Sequence, residues 1–170
     1  MDHSWICTCC GKSHDILPMA YGPGPPDSWF AISEAERDMR SLLTDDVCVI
    51  YDAEYYIRGC VEIPVIGSPQ HFEWGVWVSV SRDSLIYMLD RWTAEIPADE
   101  PPRFGWLTTW IKGYPEPHDI RCHVVLRSGP VRPLIQLEPT DYPLAVEQQQ
   151  GMTLDRVKDI AADMLHPPSR

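Results

Sequence analysis

The 170-residue chain has no long apolar run. Stretches such as residues 85–89 stop after a handful of positions, far short of the roughly 20 needed to cross a bilayer, so no membrane partnership is expected. Basic side chains are scarce: 14 Lys and Arg face 25 Asp and Glu, a formal net charge of -11. That balance repels phosphate backbones, which excludes nucleic acid as the expected partner and favours a protein partner, basic where the charge is used. The phosphate loop, Gly-x-Gly-x-x-Gly, His-Glu-x-x-His and Gly-x-Ser-x-Gly are all missing, which removes the commonest nucleotide, metalloprotease and hydrolase signatures. Met1-Asp2-His3-Ser4 is not basic and leads into no apolar core, so no secretory leader is read and a cytoplasmic location is expected.

What is present first is cysteine. Six occur, with Cys7, Cys9 and Cys10 crowded into one octapeptide that ends at His14, and Cys48, Cys60 and Cys122 set singly in apolar runs. In a reducing compartment such a set reads as thiols or a metal site rather than a disulfide framework. Cys7-x-x-Cys10-Gly11 has the spacing of a zinc knuckle: two thiolates converge on one tetrahedral ion, and glycine accepts the positive φ of the turn. No second Cys-x-x-Cys or paired histidine motif follows, so the remaining ligands must be single residues, for which His14 and Cys48 are the candidates. A thioredoxin-type dithiol is the weaker reading, since Gly11, Lys12, Ser13 and Pro18 break the helix that would lower the first thiol's pKa. The isolated cysteines read as small buried hydrophobes.

Five prolines and glycines between residues 22 and 26 mark a strap or linker. Ser33 and Glu36 have capping-box spacing for a helix to about Leu43. Residues 47–51 and 55–63 predict a hairpin, and residues 72–80, alternating Phe72, Trp74, Val76, Val78 and Val80 against smaller or polar neighbours, predict the clearest strand. Ser81 caps a helix from Arg82 to about Trp92, and residues 120–126 and 131–137 predict a second hairpin, with Pro133 at an edge or irregularity. Pro143 starts a helix that Gly151 stops, and Thr153 caps a last one to Leu165, before Pro167 and Pro168. Without regular strand and helix alternation, this is an α+β fold: one domain with a mainly antiparallel sheet and three or four helices, an N-terminal knuckle over residues 1–15, and the α+β body over residues 16–170 as one structural unit.

Seven tryptophans are many for this length. Trp74, Trp77, Trp106 and Trp110 fall in the middle of the chain beside Gly75 and Gly105, so aromatics next to backbone gaps are candidates for a binding cleft; the plainer reading is an aromatic core. Arg132, ahead of the carboxyl-rich segment 138–147, is a candidate ion-pair former or anion clamp for that cleft. No catalytic residue is assigned: the histidines are scattered, and Cys122 and His123 point to opposite faces of one strand.

Together, Cys7-x-x-Cys10-Gly11-x-x-His14, Asp46-x-Cys48-Val49-Ile50, Phe72-x-Trp74-Gly75-Val76-Trp77-Val78-Ser79, Phe104-Gly105-Trp106-Leu107, Arg132-Pro133-Leu134-Ile135 and Pro143-Leu144-Ala145-Val146-x-Gln148-x-x-Gly151 resemble the bacterial domain-of-unknown-function family 2199. The resemblance implies a bacterial single-domain protein, brings no activity, and implies Cys7, Cys10 and Cys48 as one site. The reading is a non-enzymatic protein-binding module, immunity- or antitoxin-like in size and charge, with a structural zinc. The alternatives are a metal- or thiol-dependent enzyme with an aromatic-lined cleft, and a small-molecule sensing module.

Overall fold

The computed structural model describes residues 4–166; residues 1–3 and 167–170, Pro167 and Pro168 among them, lie outside these. In chain order the elements are β1 (Trp5–Ile6), β2 (Ser13–His14), β3 (Ala20–Tyr21), α1 (Asp27–Phe30), α2 (Glu34–Arg40), β4 (Ser41–Leu43), β5 (Val47–Ile50), β6 (Glu54–Pro64), β7 (His71–Val80), α3 (Arg82–Leu89), β8 (Arg103–Leu107), β9 (Arg121–Val125), β10 (Leu134–Leu137), α4 (Pro143–Gln150) and α5 (Leu154–Leu165).

The α+β class holds, and the sheet is mainly antiparallel, but it closes. β6, β7, β8, β9 and β10 pair in turn, and β10 meets β6 in parallel at Leu134 and Cys60, making a five-stranded barrel. The remaining sheet strands extend it: β5 and β4 continue from β6, and β3 lies parallel beside β7. Closure depends on Gly59, where a Cβ would stand 2.5 Å from Ile135 Cδ1 and 2.8 Å from the Pro133 carbonyl oxygen. Pro133 is neither at an edge nor inside a strand. It ends just before β10, so its missing N–H costs no ladder bond, and its carbonyl accepts from Cys60 N at 3.0 Å.

The period-two alternation of β6 and β7 sends one set of side chains inward. Ile57, Val61, Ile63, Phe72, Val76 and Val78 have no exposed surface and meet Cys122, Val124 and Ile135 from β9 and β10. Trp77, out of phase with them, packs on the outer face with Cys48, Ile50 and Tyr56 beneath Trp29 and Ile32. The capping box forms as read, with Ser33 and Glu36 bonded both ways.

Two expectations need correction. The described residues hold five helices, not three or four; the addition is α1, one turn after Pro26 and too short to show a period. The helix read to Leu43 stops at Arg40, because Ser41–Leu43 pairs with β5 instead.

A candidate metal centre where the two ends of the chain meet

β1 and β2 form a short antiparallel ribbon whose register sets Trp5 opposite His14. The two rings stack at 5.1 Å between centroids, and Trp5 Nε1 donates to the Ile16 carbonyl at 3.1 Å. The turn between the strands is closed by Cys7 N donating to Lys12 O and Gly11 N donating to Cys7 O, both at 2.9 Å. Gly11 has φ +68, the left-handed backbone that a residue with a Cβ resists. This turn carries Cys7, Cys10 and His14 to one side, with Cys10 Sγ 3.8 Å from His14 Nε2.

The fourth member comes from the other end. Val157, Ile160 and Ala161 recur at helical spacing along α5 and are buried, the first two against the barrel, while Ala161 and Ala162 are small enough for Trp5 and Cys7 to pack closely upon them. That seating brings His166, the residue capping α5, beside His14, with ring centroids 6.3 Å apart. One ligand atom from each of Cys7, Cys10, His14 and His166 lies within 4.8 Å of the other three. Zinc held tetrahedrally at about 2.3 Å from sulfur and 2.0 Å from nitrogen spaces its ligand atoms about 3.3–3.8 Å apart. The group is therefore a slight contraction from a Cys₂His₂ site, and soft thiolate with imidazole is the donor set that suits zinc.

The electrostatics separate the three crowded thiols. Burial pushes the Cys7 thiol up, but the N–H groups of Cys10 and Cys9 and their thiols outweigh it and hold Cys7 below the ordinary cysteine value. Cys9 is shifted the other way, by desolvation and then by the neighbouring charges of Cys7 and Asp163. Cys9 is exposed and is not one of the four grouped ligands.

Cys48, expected beside the knuckle, is placed elsewhere. It is buried on β5 among Ile50, Tyr56 and Trp77, and burial with nearby Glu54 pushes its thiol up to about 11. His166 is the residue the sequence reading passed over. Its signal was a histidine one step beyond an amphipathic helix whose buried face ends in two alanines.

The residues expected to line one cleft separate into three. Trp74 and Trp77 line a slot with the strap over residues 22–26. Trp106 lies in a hollow with Phe104 and Ser81, and the Arg121 guanidinium sits 5.5 Å from its ring. Arg132 lines an open polar cleft and pairs with Asp46 at 2.6 Å rather than with the 138–147 segment.

A family model described as "Uncharacterized protein conserved in bacteria (DUF2199)" matches residues 6–152. The chain belongs to that family. No curated protein and no solved structure matches it. The stretch shared with DUF2199 contains Cys7, Cys10 and His14 and the whole barrel, and it stops before α5; in this DUF2199 chain His166 comes from outside the matched stretch. Among the described residues, no helix is long and apolar enough to cross a membrane.

Proposed function

We propose that this protein is a non-enzymatic binding module whose two ends are stapled by a structural zinc ion held by Cys7, Cys10, His14 and His166. One observation carries the reading: four zinc-type donors from opposite ends of the chain lie within 4.8 Å of one another. Four protein ligands describe a closed structural site, whereas catalytic zinc keeps a position for water. The module's partner is a protein with a basic surface, supported by the net charge of -11, since complementary charge speeds capture. An inhibitor of the immunity or antitoxin kind fits that chemistry.

The test is metal analysis of the protein purified without added zinc, repeated for Cys7→Ser with Cys10→Ser. The expected result is one zinc per chain, absent from the variant. Losing about 3 kcal/mol with it would lower the melting temperature by roughly 6–12 °C. A wild-type protein without zinc, or a variant that loses zinc and melts unchanged, contradicts the staple.

A further inference from the structure

Two segments that are neither helix nor strand wrap the same stretch of β7. The strap over residues 22–26 crosses where Gly75 has no side chain; a Cβ there would stand 3.0 Å from Pro23 Cδ. The second segment is residues 108–112, and both hang on Trp77. The Trp77 indole N–H donates to the Gly24 carbonyl at 2.7 Å, and its backbone N–H donates to Thr109 Oγ1 at 2.6 Å. Its carbonyl accepts from the Thr108 hydroxyl at 3.0 Å and from the Thr108 N–H at 3.1 Å. The walls are thus fixed by directional bonds to one buried residue, and little ordering is left for a ligand to impose.

Between the segments lies a slot of about 170 Å³. Its lining includes Pro23 and Pro25 of the strap, Trp74 and Trp77 of β7, Trp110, and Met164 of α5. Trp110 is 60% exposed even though its N–H is tied to the Tyr114 carbonyl at 2.9 Å, which leaves a rigid indole available at the surface. An apolar cavity of about 150 Å³ holds one benzene ring, and that sets the ligand's size. Two charged residues also line the slot, Asp27 and Lys112. Asp27 is the first residue of the one-turn α1. Lys112 donates to the Asp163 carbonyl at 3.1 Å and has no carboxylate partner among the described residues.

We infer that this slot binds a compound with one aromatic ring carrying a carboxylate, the ring lying among the prolines and indoles and the carboxylate pairing with Lys112. The inference goes beyond the metal reading and does not require it.

Benzoate, benzyl alcohol and benzylamine, titrated in turn into the full chain while heteronuclear NMR follows the indole N–H signals of Trp77 and Trp110, supply the test. Benzoate is expected to saturate and to move both signals. Lys112→Gln should weaken benzoate by about tenfold and leave benzyl alcohol unchanged, and Trp110→Leu should weaken both. Both positions are exposed, and circular dichroism checks each variant's fold; if Trp110→Leu fails to fold, Lys112→Gln decides alone. The inference is overturned if benzoate never saturates, if benzylamine binds more tightly than benzoate, or if Lys112→Gln leaves benzoate affinity unchanged.

Discussion

Cys48 on β5 and Cys122 on β9 have no exposed surface, the first in the outer cluster around Trp77 and the second in the barrel interior. Burial, helped by Glu54 for the first and Glu138 for the second, pushes their thiols up to about 11 and about 12 from an ordinary 9.0. Above pH 9 the unfolded chain releases these protons while the folded chain keeps them. Their contribution to stability is therefore complete below that pH and lost as pH rises toward the folded values. Melting temperature should fall steadily through the alkaline range, and Cys122→Ala should flatten the fall; an unchanged slope would show that Cys122 does not titrate this way. The metal ligands carry the opposite sign, because thiolate and neutral imidazole must compete with protons and acid releases the ion. At this scale the sequence was legible where chemistry is local. Cys7, Cys10 and His14 lie within eight residues of one another, so their spacing alone reveals them. His166 is 152 residues from His14, and only the docking of α5 brings the two together.

At the level of elements, the motif Pro143 to Gly151 has a specific task. Gln148, from α4, reaches β10 and bonds it twice: its Oε1 accepts from Leu137 N at 2.8 Å and its Nε2 donates to Ile135 O at 2.7 Å. Those two backbone groups would otherwise lack a partner on that side of the barrel. Gln148→Ala should lower unfolding free energy by about 1–3 kcal/mol in chemical denaturation; a change within error would contradict the clamp. Gly59→Ala should destabilise by a similar amount, about 1–3 kcal/mol, through overpacking against Ile135 at the barrel seam. The strands with strong alternation, β6 and β7, and the helices with caps at Ser33, Ser81 and Thr153, were readable because each signal lies within its own segment. β4 was not, since Ser41–Leu43 continues a helical pattern and becomes a strand only through pairing with β5. Closure was also hidden: it rests on one parallel bridge between Leu134 and Cys60, which leaves no mark in hydrophobic alternation. Trp106 was grouped with Trp74 by proximity to glycine, yet β8 turns it into a different hollow.

On the scale of the molecule, the barrel and the clasp are separable. The barrel core is made by β6 to β10 with Val47 of β5, α3, α4 and part of α5, whereas Trp5, Cys7, Ala161 and Ala162 form their own small cluster. Removing the metal should therefore raise amide exchange in residues 4–17 and in the last turn of α5 while leaving β6 and β7 protected; uniform loosening would contradict a local staple. Met164 lines the aromatic slot two residues before His166, so chelation should also weaken benzoate binding without abolishing it. X-ray absorption at the zinc edge of protein purified without added metal tests the central claim most directly. The account predicts a shell of two sulfurs at about 2.3 Å and two nitrogens at about 2.0 Å. A third sulfur, a water oxygen in place of one imidazole, or no zinc at all would contradict it.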